Sequence, residues 1–282
     1  MPIPADFLNK IQRLEPLPIT IQKMIPALND EDVSLAEIAR IIEFDQAIAS
    51  NILKIANSAL YAGWFQITSL RDAVMRLGTN VILELVLGQY LKKITVAAPM
   101  YDLTEDDLWL HGAVTSMAIN LLAKECPKAG IPPAAPIAGL VHDIGKLIMV
   151  RYLQVEVFTI LQRCNEKGIT FVEAEQELFG FDHAEVGATV AKKWNFPAEV
   201  TLAIENHHKN PVPDTHPIID AVVIANLVAK TVGIGLGAEG MNFTIDHACR
   251  QRLGLSFEAF CRISAATAVS LNDLKTAYGI KQ

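Results

Sequence analysis

Cysteine is scarce in this chain, and the four present, Cys126, Cys164, Cys249 and Cys261, form no Cys-x-x-Cys pair. No secretory signal opens the sequence. The four therefore read as buried free thiols in a reducing compartment, which places the protein in the cytoplasm. Runs of lysine or arginine are also missing, and the formal charge over 282 residues is −7. Bulk electrostatics thus holds neither a nucleic acid nor an anionic membrane, and a phosphate group would need a metal or a local pocket. Long apolar runs are lacking too. The most apolar long window, residues 218–237, is interrupted by Asp220, Asn226 and Lys230, which suits a core helix better than a membrane span. There is no internal repeat, no linker rich in Pro, Gly and Ser, and no histidine in the first hundred residues. What is present is hydrophobic: 51% of the chain, enough for one large domain or two modest ones with cores of their own.

Apolar residues recur at three- and four-residue steps, and no segment of the first half alternates with period two, so the fold class is all-α. A short helix is followed by the stiff turn Leu14–Pro18 and a second helix to about Leu28. Ser34 with Glu37 forms a capping box that predicts a helix through Leu35, Ile38 and Ile42. Asp45 caps the next, through Ile48, Ile52 and Ile55, with Asn57 and Ser58 as turn formers. The loop Gly63-Trp64-Phe65 offers aromatics either to packing or to a partner. Ser69 opens a helix carrying Leu70, Ala73, Val74 and Leu77. Gly78 closes it, and Thr79 caps another to Tyr90. Pro99 marks a boundary between an N-terminal helical part, 1–98, and a second helical part, 99–282.

In the second part, Thr104 and Asp107 start a helix whose Leu108, His111, Thr115, Ala118 and Leu122 share one stripe, so His111 points inward. Residues 137–149 then read as one buried amphipathic helix into which His142 and Asp143 are set side by side. Lys146 lies on the flank of His142. A further helix through Leu153, Val157 and Leu161 ends at Gly168. Asp182 with Glu185 caps a helix to Trp194, and its positive end favours a neutral His183 in the first turn. Pro197 opens a helix whose Val200, Ala203 and Ile204 lead to His207 and His208. Ile219, Val222, Val223 and Asn226 form another stripe, and one or two helices follow Gly240, starting near Ser256 and Glu258.

An isolated His-Asp pair reads first as a hydrogen-bonded core histidine beside a capping aspartate. The other histidines change that reading. Five of the seven, His111, His142, His183, His207 and His208, sit on or beside inward positions. A buried polar group left unsatisfied costs about 1–3 kcal/mol, so one shared site is more economical than five private partners. Imidazole with carboxylate suits one or two divalent transition-metal ions, iron, manganese, nickel or zinc, with Asp143 able to bridge two. Such ions make hydroxide at neutral pH and clamp an in-line phosphoryl displacement. Asp143 and Lys146 are then the candidate catalytic residues, Lys146 offsetting phosphate charge, with a solvated lysine as the alternative. Asp220, six residues before Asn226, falls on another helix face and is a weak substitute ligand.

Residues 104–230 resemble the HD superfamily of metal-dependent phosphohydrolases, in which a histidine, a His-Asp doublet and a later aspartate bind metal. His111, His142 and Asp143 match the first three positions. His183, His207 and His208 match the companion histidines of the HD-GYP branch, which hydrolyses cyclic dinucleotides. Over residues 10–235 the chain resembles the HDOD family more closely still. The motifs are Leu17-Pro18, Ile41-Ile-Glu-Phe-Asp45, Leu53-Lys-Ile-Ala-Asn57-Ser58, Ala73-Val-Met-Arg-Leu-Gly78, Gly139-Leu-Val-His142-Asp143-Ile-Gly-Lys146 and Leu178-Phe-Gly-Phe-Asp-His183. The resemblance implies an N-terminal helical subdomain packed on an HD-like helical bundle, and a bacterial signalling module with protein partners of a signalling pathway. Two departures stand out. Asn226 occupies the place of the superfamily's last aspartate ligand, and an amide gives a metal less charge than a carboxylate. Lys209 follows His207-His208 where the HD-GYP branch has a glutamate, and no Gly-Tyr-Pro follows. Two expectations result: a signalling module with a degenerate or regulatory metal site completed by Asn226, and alternatively a metal-dependent phosphohydrolase acting on a nucleotide or other phosphate ester.

Overall fold

Side-chain caps decide where many of the helices begin. Asp45 Oδ1 accepts from the Ile48 N–H at 3.0 Å and Ser69 Oγ from the Asp72 N–H at 3.1 Å. Thr104/Asp107, Thr170/Glu173 and Asp182/Glu185 form reciprocal capping boxes. In the computed structural model, which describes residues 3–28, 35–43, 45–58, 61, 65–153, 159–209, 212, 214–235 and 247–277, these caps define an all-helical chain. Among the described residues the one departure is an isolated antiparallel bridge between Ala98 and Leu103.

The first part comprises α1 (Ala5–Gln12), α2 (Ile19–Met24) running into a 3₁₀ turn (Ile25–Leu28), α3 (Leu35–Glu43), α4 (Gln46–Ala56), α5 (Leu70–Leu77) and α6 (Thr79–Ile94). Asn57 acts as a turn former: its amide donates to Leu53 and Ile67 carbonyls, both at 2.8 Å, and its Oδ1 accepts from the Ile67 N–H. Ser34 and Gly63-Trp64 lie outside the described residues. Phe65 is exposed and is covered by the Arg76 guanidinium 4.8 Å from its ring centre. Thr79 is not a cap. Gly78, at φ +79°, takes the capping position, Thr79 is already helical, and α6 runs a turn beyond Tyr90.

The second part follows a 3₁₀ turn (Pro99–Tyr101): α7 (Glu105–Glu125), α8 (Ala135–Val141), α9 (Ile144–Tyr152), α10 (Thr159–Lys167), α11 (Phe171–Phe179), α12 (His183–Lys193), α13 (Ala198–Asn206), α14 (Pro217–Thr231), α15 (His247–Leu253) and α16 (Phe257–Ala277). Helix α7 is buried around most of its girth between α6, α8, α14 and α16. Two glycines permit the closest helix approaches: a Cβ at Gly112 would overlap the Leu140 carbonyl, and one at Gly145 the His183 carbonyl. Buried apolar residues from Phe7 to Leu274 form one continuous cluster across both parts.

Three further sequence readings change. Residues 137–149 are two helices, not one: α8 stops at Val141 and α9 starts at Ile144, with Asp143 at φ −96°, ψ 11° between them. The His142 ring Nδ1 sits 2.7 Å from the Gly139 carbonyl, a partner supplied by the side chain at the end of α8. Leu153 ends α9 rather than continuing into the next helix, and residues 154–158 are outside those described. Cys261 is exposed, whereas the other three cysteines are buried.

Candidate metal centre

Four segments deliver polar side chains into the apolar second part. The inner face of α7 carries His111, the α8–α9 junction His142 and Asp143, the first turn of α12 His183, and the end of α13 His207 and His208. Breaking the helix at the junction is what aims both members of the doublet at one point. Asp143 is the hub: its Oδ2 lies 3.8 Å from His111 Nε2 and 3.6 Å from His142 Nε2. Its Oδ1 lies 3.2 Å from His183 Nε2 and 3.6 Å from His207 Nε2. His208 joins through a 3.0 Å Nε2···Nε2 approach to His183.

The other ring nitrogen of each Asp143-facing histidine is engaged. Nδ1 meets the Ile234 carbonyl in His111 (3.1 Å), Gly139 in His142 (2.7 Å) and Ile204 in His207 (2.7 Å). A carbonyl only accepts, so these rings hold the proton on Nδ1 and turn a bare Nε2 lone pair inward, the form that binds metal. His142 Nε2, His207 Nε2 and Asp143 Oδ1 are buried without a hydrogen-bond partner among the described residues. Two ligand sets share the aspartate: His111, His142, Asp143, and Asp143, His183, His207, His208.

Electrostatics separates the rings. Burial holds His142 and His208 well below the usual imidazole value, lowers His207, and brings His111 to about 4. Burial is the largest influence on His183 and pushes it down, but the charge and hydrogen bond of Glu175 together with the Asp143 contact outweigh it and raise this ring to about 9. Glu175 lies 2.8 Å from His183 Nδ1 and also accepts the His183 backbone N–H and the Tyr101 hydroxyl. The neutral His183 expected at a helix N-terminus is thereby corrected: a direct carboxylate contact outweighs the dipole of one helix end. Glu175 was not anticipated from sequence. Its signal is an acid beside Phe171 and Ala174 on the buried face of α11.

Lys146 is buried, not solvated. Its ammonium donates to Asp143 Oδ2 at 2.8 Å and lies 5.6 Å from the Tyr101 ring centre and 5.8 Å from that of Phe171. Burial alone would raise the Asp143 carboxyl, but Lys146 and then His142 hold it well below the usual range. Asn226 is buried on α14, which packs on α7 and α8, with its Oδ1 unpartnered among the described residues. Asp220 is engaged elsewhere, in a bidentate pair with Arg252 at 2.7 Å for both contacts. Lys209 is exposed beside Glu205. A cavity of about 20 Å³, room for about one water, touches Asp143 from the side of Leu108, Trp109, Leu140 and Leu147, and none of the cluster histidines lines it.

The HDOD domain family model matches residues 14–210. An uncharacterized protein of Treponema pallidum (strain Nichols) is 25% identical over 235 residues, covering 80% of this chain. The chain spans only 44% of that curated relative's length. The solved structure of an HDOD domain protein of unknown function from Geobacter sulfurreducens superposes with a TM-score of 0.74 at 25% identity, covering 97% of this chain and 95% of that one. A candidate signal transduction protein from Marinobacter aquaeolei VT8 has the same fold, with a TM-score of 0.75 at 24% identity over 98% of this chain and 65% of that one.

Proposed function

The chain belongs to the HDOD domain family, and on that premise we propose that it is a signalling module whose His/Asp cluster holds one or two divalent transition-metal ions. The observation that carries the metal reading is the set of orphaned atoms: two bare Nε2 groups and a carboxylate oxygen, buried and facing one another. Leaving such groups unmet costs about 1–3 kcal/mol each, and a cation meets all of them at once. His111, His142 and Asp143 would hold one ion. Asp143, His183, His207 and His208 would hold a second, with Asn226 in the place of the last carboxylate. The mixed imidazole and carboxylate donors suit iron, manganese, nickel or zinc.

Two features favour a regulatory or structural role over turnover. Asp143 already carries the Lys146 ammonium. Asn226 contributes no charge. The partners in this reading are proteins of a signalling pathway, a role consistent with the description of the Marinobacter relative. A net charge of −7 and the lack, among the described residues, of any helix long and apolar enough to cross a membrane favour neither nucleic acid nor bilayer. The second reading, a phosphohydrolase acting on a nucleotide or other phosphate ester, rests on Lys146 beside Asp143, where a bound metal would supply Lewis-acid chemistry and Lys146 would meet phosphate charge.

Elemental analysis of protein purified without chelator or affinity tag, beside His142→Ala, tests the proposal together with a screen of phosphate esters in manganese. The expected result is metal in the wild type, none in the variant, and no turnover above the blank. Turnover lost in His142→Ala would replace the module by the hydrolase. Two metal-free proteins would remove the metal centre.

A further inference from the structure

The histidine cluster offers two sets of donors but one negative charge. His111, His142 and Asp143 form one set and Asp143, His183, His207 and His208 the other, so a single carboxylate is common to both. Every other donor is an imidazole, neutral when it binds a metal. Glu175 faces the cluster as well, but its oxygens are taken by the His183 ring, the His183 backbone N–H and the Tyr101 hydroxyl. Two divalent ions would thus set four positive charges against the Asp143 carboxylate, in an interior that screens charge poorly.

That carboxylate already has a cation on one side. Lys146, three residues along the chain from Asp143, donates to Oδ2 at 2.8 Å. Its ammonium is boxed in by the Tyr101 and Phe171 rings, whose centres lie 5.6 and 5.8 Å away. These walls are fixed: the two rings pack edge to face at 5.2 Å, both are buried, and the Tyr101 hydroxyl is anchored on Glu175 at 2.7 Å. Oδ2 is also the oxygen that faces His111 and His142, at 3.8 and 3.6 Å. The opposite oxygen, Oδ1, faces His183 and His207 at 3.2 and 3.6 Å and takes no hydrogen bond among the described residues.

We propose that Lys146 is a built-in cation that takes the place of a second metal ion, so that the cluster holds one ion and not two. The inference rests on the metal reading of the cluster and fixes its stoichiometry. The one ion draws on the atoms left unpartnered, Asp143 Oδ1, His142 Nε2 and His207 Nε2, while Lys146 answers Oδ2. A second divalent ion on Oδ2 would stand beside the ammonium, like charge against like. Lys146 is in this sense a positioning residue, which decides how the Asp143 carboxylate is shared. A neutral side chain at position 146 frees Oδ2, and the His111 side of the cluster can then take a second ion.

The test is a manganese titration of the full chain, first stripped of metal, read by elemental analysis and by electron paramagnetic resonance. The wild type should saturate at about one ion per chain, with the hyperfine lines of an isolated ion. Lys146→Met keeps an unbranched stem and removes the charge. It should saturate at about two ions, with the broadened signal of a coupled pair. Lys146→Arg restores a cation and should return the count to one, a rescue that a merely space-filling side chain would not give. Two ions in the wild type or in Lys146→Arg, or one in Lys146→Met, overturns the inference and leaves the metal centre standing. No manganese in any of the three proteins removes the centre and the inference with it. If Lys146→Met does not fold, amine labelling of the wild type decides the matter. Lys146 should be as unreactive with manganese bound as without it, and labelling that rises with manganese overturns the inference.

Discussion

Helices α1 to α6 and the helices from α7 onward differ in what they bury. Among the described residues, every fully buried polar or charged side chain lies after residue 110, from His111 to Thr267. The first part buries aliphatic side chains such as Ile38, Ile42, Ile52 and Leu83 almost completely, and its carboxylate most shielded from water, Glu84 of α6, is still partly exposed on the seam with α7. The second part buries Asp143, Lys146, Glu175 and four cluster histidines among side chains no less apolar. The difference teaches where stability and function are in tension. An apolar interior gains about 25 cal/mol per Å² removed from water, whereas a buried ion pair recovers its desolvation cost only with good geometry. The first part is thus a packing body, and the second carries groups that a purely stabilising core would replace with leucine.

Asp143→Ala tests this contrast with the largest effect. It leaves the buried Lys146 ammonium without its 2.8 Å partner and should cost about 3–5 kcal/mol in denaturant unfolding, with loss of bound metal. A cost below about 1 kcal/mol would mean that water reaches the pair and that the two parts are alike. Ile52→Ala, in the fully buried face of α4, should cost about 2–4 kcal/mol by leaving a cavity, with metal content unchanged. Metal loss in that variant would break the division of labour. Glu175→Gln should weaken metal retention about 10- to 100-fold against a competing chelator, since it removes the carboxylate that orients His183.

The same variant has a pH signature in metal-free protein. His183 is raised from 6.5 to about 9, burial working against the shift and Glu175, with a smaller part from Asp143, producing it. A raised histidine contributes stability that is fully present below pH 6.5 and lost as the pH rises through 9. Urea midpoints of the wild type should therefore fall across that window, and those of Glu175→Gln should fall less. At the small end, Lys209→Ala removes an exposed 3.7 Å pair with Glu205 and should move stability by less than about 0.5 kcal/mol.

Local signals were legible because their partners are close in sequence. Asp45 with Ile48, Ser69 with Asp72 and Asp182 with Glu185 cap helices three residues away. The inward placement of His111 follows from its stripe on α7, where it is 2% exposed. Periodicity reported a helical stretch around His142 and Asp143 but not its interruption, because the same apolar spacing serves two short helices as well as one long one.

By itself the sequence determined the all-helical class, most helix starts, the HDOD resemblance and which histidines turn inward. The tertiary structure decided which atoms meet. It set Asp143 at the centre of four histidines, gave Glu175 to His183, and gave Asp220 to Arg252 rather than to the cluster. It also left Glu84 with one unanswered oxygen between α6 and α7. The physical reason is range. Helix propensity, capping and hydrophobic period act over three or four residues. The polar contacts of the site join groups up to 123 residues apart, as in His111 with Ile234, and only the packing of helices brings such groups within hydrogen-bonding distance.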